Sequence, residues 1–84
     1  MKSKNEIREF VQSLLTRVGD GGSLADDDSL LINGRLQSVD AVEIILFLEE
    51  HFGMDFAQTG FDREEIDSID AIHTLTQAAS NRNQ

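Results

Sequence analysis

Eighty-four residues with no cysteine make one domain, near the lower size at which a chain folds without disulfides or metal. Sixteen Asp and Glu against seven Lys and Arg give a formal charge of -9, which repels a nucleic-acid backbone and favours salt-sensitive encounters with basic protein surfaces. The longest apolar run, Ile44 to Leu48, is far short of the ~20 residues of a membrane span, and no apolar stretch follows Lys2 and Lys4 as a secretory signal requires. The expectation is a cytoplasmic protein with no nucleic-acid partner and no membrane span.

Proline is absent and β-branched alternation is scarce, so helical periodicity is the signal to test. Ile7, Phe10, Val11, Leu14, Leu15 and Val18 recur as the apolar stripe of an amphipathic helix. Ser3 and Glu6 form a capping-box start, and Gly19, Asp20, Gly21 and Gly22 end the element. A long loop follows to Gln37. Loops of that length inside a small domain are uncommon and often functional. Leu24 and the cluster Leu30, Leu31 and Ile32 are expected to pin it to the core.

A second helix is expected from about Ser38 to Phe52, closed by Gly53. At about 100° per residue, Ala41, Val42, Ile44, Ile45, Leu48 and Phe52 share one broad arc. Asp40, Glu43, Glu50 and His51 share the other, with Phe47 among them. Asp62 with Glu65 marks a short third helical turn closing near Ile66. Ser68 caps a last helix carrying Ile69, Ile72, Leu75 and Ala79, and Ser80 to Gln84 form a frayed polar tail. The sum is an all-α fold. It is a small four-helix bundle of three main helices plus a short third helix, with a long loop between helices 1 and 2 and a core spanning about 6–79.

Familiar sites fail on this sequence. A serine hydrolase needs G-x-S-x-G on a strand-to-helix elbow, whereas Leu36, Gln37, Ser38, Val39 and Asp40 offer no glycine and no preceding strand. Asp26-Asp27-Asp28 suggests calcium, but Leu30 and Leu31 fall at the fifth and sixth loop positions, where an oxygen ligand and glycine belong. His51 and His73, alone on separate helices, make no metal site. A serine at a helix start remains, with a long loop before it and an acidic helix after it. A serine there is also a preferred N-cap, which is its plain structural role.

The stretch "DDDSLLINGRLQSVDAVEIILFLEEHFGMDF" resembles the acyl carrier proteins, the phosphopantetheine-binding carrier family, and the resemblance extends over roughly Glu6 to Ala79. Carriers of this family are small acidic four-helix bundles with a long first loop. In them a serine opening the second helix bears 4′-phosphopantetheine, derived from coenzyme A, through a phosphodiester. Ser38 matches that serine, and Val39, Asp40, Val42, Glu43, Ile44 and Leu48 match the pattern after it. "LEEHFG" resembles the family's acidic helix end, and "FDREEIDSIDAI" its short third helix running into the fourth. The family usually has Asp before the serine and Leu or Met after it; here Gln37 and Val39 stand in those places. The Gln37 departure bears on loading, because the usual Asp helps dock the enzyme that attaches the arm. "NGRLQS" is closer to the spacing of D-alanyl, aminoacyl and other specialised carriers than to that of housekeeping fatty-acid carriers.

The resemblance implies a protein without catalysis of its own, working as a monomer. It would carry acyl or aminoacyl thioesters on an arm at Ser38 between enzymes of fatty-acid, polyketide or related biosynthesis. The implied partners are a phosphopantetheinyl transferase, a loading ligase and downstream acyl-transferring enzymes with basic docking surfaces. Gln37, Val39, Asp40, Glu43, Leu46, Phe47 and Glu50 are the expected contact surface, with Glu49 a further acid beside it. The competing expectation is an acidic helical interaction domain that has the carrier fold but is never loaded.

Overall fold

The computed structural model describes residues 4–56 and 60–82, with side chains described up to residue 78. Among the described residues it contains three α-helices, one 3₁₀ turn and no strand: α1 (Lys4–Arg17), α2 (Ser38–Phe52), the 3₁₀ turn (Arg63–Ile66) and α3 (Ile69–Arg82). The expected Ser3 cap and the Ala79 packing position lie outside what is described.

Helix α1 forms from its apolar stripe, of which Ile7, Val11, Leu14 and Leu15 are buried. Glu6 in the first turn and Arg17 in the last complement the helix dipole. Gly19 ends the helix at φ 85. Its N–H donates to the Thr16 carbonyl (3.0 Å) and that of Asp20 to the Leu15 carbonyl (2.8 Å), the paired bonds of a Schellman stop. Val18 therefore lies past the helix and is exposed, contrary to its expected place on the stripe.

Helix α2 has the expected bounds, closed by Gly53 in the left-handed region at φ 68. The cap at its start differs from expectation. Gln37, extended at φ -112 and ψ 179, is the N-cap residue, and Ser38 is the first residue of the helix. The Asp40 carboxylate folds back and accepts the Gln37 N–H at 3.0 Å, so the cap is made by the acid and not by the serine. Asp62 and Glu65 repeat the device at the 3₁₀ turn, where Glu65 Oε1 accepts the Asp62 N–H at 3.0 Å. Ser68 Oγ accepts the Ala71 N–H at 3.0 Å and caps α3 as expected. The backbone of α3 continues through Arg82, so Ser80 to Arg82 are helical where a frayed tail was expected.

The core joins all elements through Ile7, Val11, Leu14, Leu30, Leu36, Ile44, Leu48, Ile66, Ile69 and Ile72, with Phe10, Phe47, Phe52, Met54 and Leu75 packed partly against it. Phe56, after α2, is also buried, and its N–H donates to Glu49 Oε2 at 3.1 Å.

The long loop is pinned by Leu24, Leu30, Leu31 and Leu36. Ile32, expected to join them, is exposed, and Leu36 does the work instead. A second set of anchors is polar. Asp67, just before α3, accepts the Ser29 hydroxyl (2.7 Å) and the N–H groups of Leu31 (2.7 Å) and Ile32 (2.8 Å), while its own carbonyl accepts the Leu30 N–H (2.7 Å). Burial pushes this carboxyl up, but the Ser29 hydroxyl and the loop N–H groups outweigh it and hold it below the usual carboxylate range. Arg8 ties down the Leu24 carbonyl at 2.7 Å and the Asp26 carboxylate, and Arg35 bridges Asp20 (2.9 Å) and Asp28 (3.4 Å). Two carboxylates of the Asp26–Asp28 run are thus engaged by cations within the fold. Among the described residues no group of three His, Asp or Glu is arranged for a metal ion.

Candidate functional site

Ser38 sits where the pinned loop meets α2, and its side chain is exposed. Its hydroxyl accepts a hydrogen bond from Arg63 Nη2 at 3.3 Å, across from the 3₁₀ turn. Leu31, Leu36, Gln37, Ser38 and Arg63 line a small recess of about 170 Å³ there. Local sequence explains each placement: the Asp40 cap fixes the start of α2, and the Asp62–Glu65 box fixes the turn that carries Arg63. A guanidinium cannot take a proton at neutral pH, so Arg63 is no general base for Ser38. His51 rests against the Phe47 ring at 4.7 Å, and the His73 ring pairs with Gln77 at 3.3 Å. The site offers an accessible hydroxyl beside a cation, and the described residues put no base against it.

The faces of α2 correct the expected division between core and solvent. Asp40, only 2% exposed, accepts Arg17 Nη2 at 3.1 Å in addition to the Gln37 N–H. Its expected position on the contact surface is therefore wrong: the carboxylate is consumed by the helix cap and by α1. Arg17 also forks onto Glu43, reaching Oε1 at 3.1 Å, and these two acids raise the guanidinium above its ordinary value, Glu43 contributing more than Asp40. Phe47, about one helical turn beyond Glu43 on the same flank, stacks on Phe10 with ring centroids 4.2 Å apart and planes within 9°. It is half-buried against the core and not displayed as an aromatic on a charged face. Of the expected acidic arc, Asp40 and Glu43 thus lie with Phe47 on the flank of α2 that meets α1, while Glu50 and His51 remain exposed. Glu49, turned onto the Phe56 N–H, is engaged internally.

The outward face is instead Val39, Val42, Leu46 and Glu50, spaced one helical turn apart. Val39 is 67% exposed, Val42 53% and Leu46 49%, and Glu50 is exposed beside them. Val42 was expected in the buried arc; Val39, Leu46 and Glu50 stand outside as expected. Gln37 is exposed at the top of this face. Round the helix from it, an open groove of about 880 Å³ between the end of α1 and the start of α2 is lined by Arg17, Gly21, Arg35, Gln37 and Val39, among others.

Two residues of this region carried no signal in the sequence. Arg63 stands 25 positions from Ser38, and Asp67 stands 38 from Ser29. Only the Asp62–Glu65 capping pair, which fixes the turn just before Asp67, was readable. Comparison of the chain with protein-family models, curated proteins and solved structures returns no match. Among the described residues no helix is long and apolar enough to cross a membrane.

Proposed function

We propose that the chain is a carrier domain of the acyl carrier type, with Ser38 as the attachment point of 4′-phosphopantetheine and no catalysis of its own. The three α-helices and the 3₁₀ turn are, in this reading, the four elements of a carrier bundle. The observation that carries it is the state of Ser38. The hydroxyl opens α2 but is not spent on capping it, because Asp40 does that work, and it stands exposed beside a cation and an apolar stripe.

The local chemistry fits a phosphate ester. The N-terminal end of a helix is the positive end of its dipole, and Arg63 adds a full charge next to Oγ. Proton removal falls to the transferase, since the side chain bonded to Ser38 is itself cationic. In loading, the hydroxyl gives up its proton to that enzyme and gains an O–P bond to the pantetheine phosphate of coenzyme A, and adenosine bisphosphate leaves. When attached, the group supplies the thiol that a chain without cysteine lacks, and thioester cargo follows from that thiol.

The chain's own residues then do two things. The pinned loop and the Asp40 cap hold Ser38 at a fixed point, and Val39, Val42, Leu46 and Glu50 offer partner enzymes a small apolar centre with an acidic edge. Weak, steered contact of that kind suits a domain that visits several enzymes. Gln37, where carriers usually have Asp, makes a broad-specificity transferase the better loader, and Gln37→Asp is expected to improve loading by a housekeeping carrier synthase.

Incubation with coenzyme A and a broad-specificity transferase, followed by intact mass, tests the proposal. One phosphopantetheine is expected on the wild type and none on Ser38→Ala. The variant should keep its helicity, because the α2 cap belongs to Gln37 and Asp40. No mass gain on the wild type means an unloaded interaction domain; gain on Ser38→Ala means a different serine.

A further inference from the structure

The charges around Ser38 are unequally matched. Five cationic side chains are described. Lys4 pairs with Asp26 and Asp70, Arg8 with Asp26, Arg17 with Asp40 and Glu43, and Arg35 with Asp20 and Asp28. Arg63 alone among them points at a neutral group, the Ser38 hydroxyl. In a chain with sixteen acids, that cation stands out for having no carboxylate against it among the described residues. Its own neighbours do not satisfy it: Glu65 is turned to the Asp62 N–H. A guanidinium is a planar fork of five N–H donors suited to two oxygens of a phosphate or carboxylate, and a hydroxyl uses one. The turn beneath Arg63 is held by fully buried Ile66, so the side chain starts from a fixed point.

We infer that Arg63 is a positioning residue that clamps the phosphate carried on Ser38 Oγ, fixing the root of the arm between α2 and the 3₁₀ turn while leaving its far end free. That the phosphate belongs to phosphopantetheine rests on the proposed carrier function; the clamp itself rests on the Arg63–Ser38 geometry. A phosphodiester on Oγ puts its unesterified oxygens next to the guanidinium that now touches the hydroxyl. Both groups keep their charge throughout the physiological pH range, so the contact is sensitive to salt and insensitive to pH there. It steers the first bonds of the arm over the recess floored by Leu31 and Leu36.

The experiment uses the full chain, made by chemical synthesis with phosphoserine at position 38, and follows the second phosphate ionisation by phosphorus NMR. That ionisation ordinarily lies near pH 6. A cation on the phosphate favours the dianion and lowers the midpoint. The expected midpoint is about half a pH unit lower in the wild type than in Arg63→Gln, the size of an exposed ion pair. Arg63→Lys should recover most of the shift. Lys4→Gln, which removes the same charge from a residue already tied to Asp26 and Asp70, should leave the midpoint in place. Equal midpoints in the wild type and Arg63→Gln overturn the clamp, as does an equal displacement by Lys4→Gln. Enzymatic loading of the unphosphorylated chain is scored separately by mass. A failure there removes the carrier function and leaves the clamp, whereas a titration indifferent to Arg63 removes the clamp and leaves the carrier function.

Discussion

The loop from Val18 to Gln37 and the outward face of α2 meet at Ser38, and they treat charge and apolar surface in opposite ways. In the loop, leucines are buried, Asp20 and Asp28 are paired with Arg35, and Asp26 is paired with Arg8 and Lys4. On the face, Val39, Val42 and Leu46 are exposed with Glu50 beside them. A segment without regular structure is thus held on many sides, and a regular helix leaves one side uncommitted. Backbone order comes from the loop anchors; under the proposed carrier function, the bare stripe is the surface that partner enzymes would contact.

Removing the central loop anchor is the strongest way to break this comparison. Asp67→Ala leaves the Leu31 and Ile32 N–H groups and the Ser29 hydroxyl without their charged acceptor. Hydrogen bonds to charged groups contribute about 1.5–3 kcal/mol each at most, and water repairs part of the loss, so a net destabilisation of about 3 kcal/mol is expected. Urea unfolding measures it, and hydrogen exchange at Leu31 and Ile32 locates it. Stability within 0.5 kcal/mol of wild type, on the order of an ordinary surface change, would assign the loop's order to its leucines alone.

Acid should loosen the loop in the same sense. Asp67 is lowered by the net effect described above, Asp26 by Arg8 and then Lys4, and Asp20 by Arg35 and then the Gly22 N–H. A carboxyl lowered in the fold contributes stability that is complete above its unfolded value, here 3.8, and is lost as pH falls through its folded value. The loop amide signals should therefore hold steady down to that value and change below it. A transition well above 3.8 would show that some other group controls the loop.

The face answers to different changes. Leu46→Ala should weaken binding to the transferase by about five- to tenfold, the usual cost of truncating a central contact, while stability moves little because the side chain is half exposed. Calorimetric titration gives the first value and thermal melting the second. An unaltered affinity would move the contact surface to the groove beside Gln37.

The smallest effect separates two acids that look alike in sequence. Glu50→Lys should slow association a few-fold at low salt, with the gap closing as salt screens exposed charge over a Debye length of ~8 Å at physiological ionic strength. Its stability should stay within about 0.5 kcal/mol. Glu43→Lys also places a cation against Arg17, so it should lower the melting temperature as well as the on-rate. If both variants behave alike, the Arg17–Glu43 pair contributes nothing measurable.

Local signals in the sequence determined most of the helix ends. Gly19 and Gly53, the Asp62–Glu65 pair and the Ser68 cap act within one or two turns of backbone and are found as expected, as is the α1 stripe from Ile7 to Leu15, whereas the end of α3 at Arg82 was not legible. The position of Ser38 at the start of α2 follows from the same short-range rules. The tertiary structure alone decided what each face of α2 meets. That helix is apolar over so much of its circumference that the wheel gives angles between residues but not which arc turns inward. Packing settled it by putting Phe47 on Phe10 and Arg17 on Asp40, which buried an acid and exposed Val42. Asp67 under the loop and Arg63 on Ser38 are joined to their partners across 25 or more residues, a distance no periodicity records. Such contacts exist only once the chain has closed, because their partners are brought together by the burial of a core shared among all the helices.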